Sequence, residues 1–440
     1  MKLKNNIVHY ALAVAVIFSI ALSATLWVNP TYLQSTDRNS QSSQKSNSSN
    51  NDEAKTVLGD IYQPTVIDFN NGNQTMRLAS SKVDLMQEIR HDLGSWKVSS
   101  VSDVKKLSRQ RYENFLRSEN MVLLVFPDKV APKDLTDIFK DIPKKIQNKK
   151  FNRVAIDLKK KSSVYLLNDN NYEVTDLSLK NGKYTNLKKI VSSDDTQQMP
   201  VSLKRFDGKY INFYTNKIQI PQYSYLVNKD SASIFVTRLL GTSNSSVNSR
   251  KEDQQTVYFD NAGQRLAVEN KTGVINYSNY SHEVGKDSTL SDNLNQGFRQ
   301  LEETGRLLDD VRYDEYDPAS QQITYRSYIN AFPILADNNY GTYQIRLASA
   351  GGEQTNFSLY SLQVPVPSKQ QSVELPATQD VLNDLSQAGI DLKKIKGIRI
   401  GYKAQLNDTS KQVVDLVPAY FILYNGSWID QQTILSGKVS

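Results

Sequence analysis

The sequence predicts an α+β fold carried behind an N-terminal transmembrane helix. Residues 7–28, "IVHYALAVAVIFSIALSATLWV", form a run of 22 residues without formal charge, and beyond residue 55 segments of helical period alternate with groups of short strand-like ones. Cysteine is absent from all 440 residues, so a large exported region must be held together by burial rather than by disulfides.

The first run is long enough to span a membrane. At ~1.5 Å rise per residue it crosses the ~30 Å hydrocarbon core of a bilayer. Secretory signals carry a shorter apolar region of ~7–15 residues, which favours an anchor; cleavage after Ala21-Leu22-Ser23 is the alternative that stays open. Lys2 and Lys4 precede the run and no Lys or Arg follows before Arg38. That asymmetry orients residues 1–6 toward the cytoplasm and the bulk outside. Trp27 is expected to anchor the helix at the outer interface. Ala11, Ala15, Ser19 and Ser23 recur every four residues as a stripe of small side chains, along which a second membrane helix can approach closely. No later segment is apolar enough to span, so the expectation is a single-pass protein of the cell membrane whose bulk is extracellular.

Residues 29–55, rich in Ser, Asn and Gln, read as a flexible tether with a mean span of ~30 Å. Folded sequence is expected from Thr56, in α+β domains over 56–200, 201–285 and 286–440. In the first, "KVDLMQEIRHDLGSW" (82–96) has helical spacing that ends at Gly94. "VSDVKKLSRQRYENFLRS" (101–118) reads as a second helix with Ser102 as N-cap. "MVLLVFPD" (121–128) reads as a buried strand closed by Pro127, followed by a short helix around 133–141 and strands in "RVAIDL" (153–158) and "SVYLLND" (163–169). Further on, helices over 231–241, 289–310 and 377–390 each precede a group of short strands, with turns at 261–263 and 271–273. One helix on an antiparallel meander leaves a sheet face bare, so neighbouring units are expected to pack on each other.

The chemistry-bearing residues are sparse. The three histidines, His9, His91 and His282, are far apart, and there is no HExxH, no thiol and no GxSxG. No cofactor or metal is implied. The acidic run "DDVRYDEYD" (309–317) lacks the ligand spacing of a calcium loop and reads as a solvated helix-to-strand connection. Distant carboxylates can converge in a glycosidase, but nothing in the sequence points to such a pair, so interaction is favoured over catalysis. The net charge of +7 is uneven: residues 56–200 hold 24 Lys and Arg against 18 Asp and Glu. The densest stretch, 140–161, offers Lys144, Lys145, Lys149, Lys150, Lys159, Lys160 and Lys161 as a docking face for anionic lipid or an anionic wall polymer, which is the alternative functional reading. An extracellular location excludes nucleic acid as a partner.

The short basic N-terminus, the span ending in Leu26-Trp27, "FDNAGQRLAVE" (259–269), "ITYRSYINAFPIL" (323–335) and "VVDLVPAYFILYNGSW" (413–428) together resemble the YycH (WalH) family of Gram-positive Firmicutes. The likeness runs through nearly the whole chain in order and length. It implies an accessory regulator, not an enzyme, of the WalK/WalR two-component system that controls cell-wall turnover. Such proteins act with a YycI-like membrane protein on a WalK-like sensor histidine kinase, in signal transduction through membrane-helix contacts. The resemblance also implies an α+β extracytoplasmic region with PepSY-like units.

Overall fold

The computed structural model describes residues 58–437 apart from 136–137, 161, 181, 242–245, 281–287, 307–309, 337–339, 348–351 and 367–370. The expected membrane helix 7–28 and linker 29–55, with Ala11, Ala15, Ser19, Ser23 and Trp27, lie outside the described residues. No described helix is long and apolar enough to cross a membrane.

The chain opens with the single turn α1 (Leu58–Ile61), the hairpin β1 (Val66–Asn70) and β2 (Thr75–Ala79), and α2 (Leu85–Leu93). There follow β3 (Val98–Val101), β4 (Lys105–Lys106), α3 (Arg109–Leu116), β5 (Met121–Val130), β6 (Phe151–Asp157), β7 (Ser163–Asn168) and β8 (Glu173–Leu179). After α4 (Thr185–Ser192), β9 (Gln197–Phe206) and β10 (Lys209–Tyr214) return to the same sheet. Its order is β10-β9-β2-β1-β5-β6-β7-β8-β3, with β4 beside β8. The boundary expected at residue 200 therefore falls inside β9, whose pairing with β2 makes it a member of the first sheet.

Alternation gives this sheet two different faces. Ile67 stands opposite Leu78 and Leu124, Leu124 opposite Val154, and Val154 opposite Leu166. These side chains share a core with Leu85, Met86, Ile89 and Leu93 of α2 and with Leu187 and Ile190 of α4. Asp84 caps α2, and Gly94 ends it as the sequence predicts. Buried Asp92 accepts from Asn186 N at 2.8 Å and Leu187 N at 3.0 Å, so α2 supplies the cap that Tyr184 does not give α4. The opposite face carries Leu123, Ala155 and Leu203, which pack with Tyr112 and Leu116 of α3.

Two local expectations are corrected. The second helix starts at Arg109, capped by Ser108 Oγ, which accepts from Arg111 N at 3.3 Å. Ser102 instead exchanges bonds with the Asp176 backbone, holding the chain against β8. Pro127 does not close β5. It sits in the stretch between Val125 and Val130 where the β5–β6 register is interrupted, so its missing N–H removes no rung.

Apart from a separate two-stranded pair, the described strands of the rest of the chain build one fourteen-stranded sheet. β11 (Ile218–Pro221), β12 (Tyr223–Lys229) and α5 (Ala232–Leu239) precede β13 (Asn248–Lys251), β14 (Gln255–Phe259), β15 (Gln264–Glu269), β16 (Val274–Asn279) and α6 (Leu290–Glu303). Next come β17 (Val311–Asp317), β18 (Gln322–Ile329), β19 (Phe332–Leu335), β20 (Thr342–Leu347), β21 (Glu353–Ser358), β22 (Tyr360–Pro365), β23 (Ser372–Leu375) and α7 (Thr378–Gln387). The chain closes with β24 (Ile395–Leu406), β25 (Val413–Tyr424), β26 (Ser427–Asp430) and α8 (Gln431–Leu435). Pairing of β16 with β21 fuses two of the expected helix-plus-meander units into one sheet that carries both α5 and α6. α6 begins at a Thr289–Asp292 capping box and ends at Glu303, shorter than the 289–310 expected, because Thr304 and Gly305 (φ +63°) turn the chain. Gly297 lets it approach the sheet: a Cβ there would lie 2.4 Å from Ile323 Cδ1.

Residues 56–440 form one compact unit. A single apolar core runs from Ile67 and Leu124 in the first sheet to Leu294, Ile323 and Phe357 in the second. At their contact Tyr62 OH donates to Leu294 O at 2.7 Å and meets Tyr325 OH at 2.7 Å. Asp134, buried in the 3-10 turn Pro132–Leu135, accepts from Ser291 Oγ on α6. The Tyr62→Phe variant strands both partners in an apolar setting and is expected to lose about 1–3 kcal/mol of stability. Urea denaturation of the variant beside the native chain measures this.

Candidate functional site

On the polar side of the first sheet's second face, β1 presents Asp68, β2 Arg77, β6 Arg153 and β10 Asn212 and Tyr214. Register puts them on one side: Asp68 is directly opposite Arg77, and Asn212 is opposite Leu203. Asp68, Arg77, Arg153 and Tyr214 are buried and Asn212 is half-buried. Across this patch lie Asp314 and Glu315 of β17, Tyr328 of β18, Lys396 and Arg399 of β24 and Trp428 of β26, and between them is a cavity of about 250 Å³.

Each wall is fixed by a buried ionic contact. Arg153 Nε donates to both Asp169 oxygens at 2.9 Å, and its Nη2 donates to Tyr210 O at 2.5 Å. Asn152 Nδ2 and Tyr112 OH donate to the same carboxylate at 2.8 Å each. Burial and the Asp169 charge push the Tyr112 hydroxyl far up, which keeps it a donor. On the facing wall Asp314 accepts from Arg399 Nη1 at 2.7 Å, Arg399 Nη2 at 3.0 Å and Arg326 Nε at 2.7 Å. Burial alone would raise the Asp314 carboxyl, but the two guanidinium charges outweigh it and hold the group well below the usual carboxylate range. Trp428 backs Arg399, its ring centroid 4.0 Å from the guanidinium carbon.

The acidic run 309–317 is thus corrected. Instead of a solvated connection, Val311–Asp317 is a strand, and the β17–β18 register breaks between Tyr313 and Glu315. Val311, Arg312, Tyr313 and Asp314 are all buried, so this end of the strand is covered on both faces, and the bulge leaves Asp314 without a partner residue on β18. Asp317 keeps the expected exposed role and accepts from Ser320 Oγ at 2.6 Å. Asp309 lies outside the described residues.

The basic stretch is partly neutralised where it is described. Lys149 pairs with Glu173 at 2.7 Å, Lys159 with Glu119 at 3.4 Å and Lys160 with Asp157 at 3.9 Å. Lys145 Nζ donates to Val101 O at 2.9 Å, Lys144 and Lys150 are exposed, and Lys161 lies outside the described residues. Among the described residues no three His, Cys, Asp or Glu side chains stand together as metal ligands. Asp68, Arg77, Arg153 and Arg399 were not singled out from sequence. Their signal was a charged residue inside an apolar strand, as in "VIDFN", "TMRLA" and "FNRVAID", and it shows only once the strand is known to be buried on both faces.

The chain matches the family model "YycH protein, N-terminal domain" over residues 5–196 and "YycH protein, C-terminal domain" over residues 210–435. It belongs to the YycH family. A regulatory accessory role, rather than an enzymatic one, goes with that family. The crystal structure of YycH from Bacillus subtilis is similar, with a TM-score of 0.68 at 16% identity over 86% of this chain and 97% of that one. At that identity the likeness speaks for the fold. No curated protein matches the chain. The break between the two YycH models, 196 to 210, takes in β9 and the start of β10, the strands that complete the first sheet beside the cavity.

Two outcomes test this site. Asp314→Asn leaves two guanidinium groups without a counter-charge and is expected to cost about 3–5 kcal/mol in chemical denaturation at pH 7. Because the folded Asp314 pKa is depressed, its contribution is full above the unfolded value of ~4 and drains away as pH falls below it. Asp68 has the opposite sign: burial raises its carboxyl more than Arg153, Asn212 and Arg77 lower it. Stability from that group is full below ~4 and is lost as pH rises through the folded pKa, so Asp68→Asn is expected to raise Tm at pH 7.5 and to leave it unchanged near pH 3.5.

Proposed function

We propose that the chain is a membrane-anchored, single-pass extracytoplasmic regulator of a WalK-like sensor histidine kinase, acting with a YycI-like partner to tune cell-wall metabolism. The observation that carries this is the extent of the family match. The N-terminal YycH model starts at residue 5 and so takes in the apolar run 7–28, which supports an anchor that belongs to the working protein over a disposable signal. Membership in a family of accessory regulators supplies the kinase system as the coarse partner.

In this mechanism the helix 7–28 packs laterally through Ala11, Ala15, Ser19 and Ser23 against helices of the kinase or of the YycI-like protein. Such packing biases the kinase only by the difference in contact energy between its signalling states, whatever the total affinity. The ectodomain's role is to present one shaped body outside the membrane. Its described apolar surfaces are shared among the sheets, so partner binding requires no unfolding of a module.

Replacing Ala15 and Ser19 together with Leu is expected to reduce co-purification with the kinase from membranes. At equal protein level it should also change transcription of the kinase's regulon by about fivefold or more, the low end of ordinary coupling energies. Unchanged transcription and unchanged co-purification would remove the small-residue stripe from the mechanism.

A further inference from the structure

The cavity beside Asp68 has chemistry that the fold itself does not require. Asp68 and Arg77 occupy directly opposed positions on β1 and β2, where opposite charges ordinarily close on each other. Both are buried, yet among the described residues neither is in an ion pair. Asp68 Oδ1 accepts from Asn212 Nδ2 at 2.7 Å. Arg77 is drawn away, Nη1 donating to Tyr214 OH at 2.9 Å and Nη2 to Ala331 O at 2.8 Å, with its guanidinium over the Phe332 ring. Asp68 Oδ2 and Arg77 Nε are left without hydrogen-bond partners. A buried acid and a buried base are thus held side by side and apart, each with one position unsatisfied, on the wall of a cavity of about 250 Å³. That volume is roughly eight times the share of one water molecule, more than a single ion fills.

The same lining holds Arg153, whose Nη1 is also without a partner, together with Lys209, Lys396 and Glu315, so the cavity presents both signs of charge. A molecule that carries both signs a few ångströms apart, with polar groups between, answers that lining. We propose that this cavity binds a short peptide with free termini, its ammonium against Asp68 and its carboxylate against Arg77. Tyr328 and Trp428 on the facing wall offer apolar surface to the side chains. This binding is independent of the kinase assignment and is tested without it.

Isothermal titration of the purified full-length chain with an equimolar mixture of free dipeptides built from Ala, Leu, Tyr and Glu is expected to give saturable binding. The same dipeptides N-acetylated or C-amidated should bind at least tenfold more weakly. Asp68→Asn, which removes the buried acid and keeps the side chain's shape, should erase the difference between free and acetylated peptides while retaining the difference between acid and amide. Arg77→Met should do the converse. Far-UV circular dichroism melts establish that each variant is folded, and if Arg77→Met is not, the comparison of free with blocked peptides on the native chain decides alone. No saturable binding of free dipeptides to the native chain, or equal binding of free and blocked ones, would overturn the proposal.

Discussion

Removing the carboxylate of Asp314 from water is unfavourable unless its charge is met, and two guanidinium groups from different strands meet it. Arg326 belongs to β18, the neighbour of β17 in the central sheet, whereas Arg399 belongs to β24 in the C-terminal strands. The contact therefore fixes the bulge in β17, the angle at which β24 arrives and the placement of Trp428 behind Arg399. The cavity wall facing the first sheet is a consequence of this one arrangement. A buried ion pair is weak evidence for net stability, since a well-packed apolar replacement often does as well. Its value here is in specifying one geometry among several that apolar contacts alone would tolerate.

The apolar cores give the same picture from the other side. One core passes from α2 and α4 through the first sheet to α6 and the central sheet, and a second joins Met199, Val201 and Phe213 of β9 and β10 to α7, β24 and β25. No sheet completes its burial by itself. The first sheet has helices on one face, while its other face is closed partly by α3 and partly by the C-terminal strands. The polar patch lies between these last two coverings, facing charged and aromatic side chains of the C-terminal strands. The cavity is thus a seam between separately packed layers.

Much of this order was legible in the sequence because it rests on local rules. The period of α2, α5, α6 and α7 follows from apolar spacing, Ser231 and Thr289 stand as caps ahead of α5 and α6, and the hairpin turns at Gly263 and Gly273 carry the positive φ that such turns require. What depends on contacts distant in sequence was not legible. Ser102 and Ser108 are equally good caps on local grounds, and only the pairing of β4 with β8 selects the second. Asp314 looked solvated because its partners lie 12 and 85 residues away. Asp68 and Arg77 were hidden in runs whose second face gave no sign of being covered. Family resemblance reached the regulatory role, whereas the candidate ligand site needed the fold.

If these cores and the Asp314 contact hold the region beyond residue 55 together as a single body, its layers must lose structure together. Hydrogen exchange measured by mass spectrometry through a urea series reads this directly, by following peptides from β5 in the first sheet, β15 and β16 in the central sheet, and β24 at the C-terminal end. The account predicts one common midpoint for all three sets. Separate midpoints, with β24 opening while β5 stays protected, would contradict it.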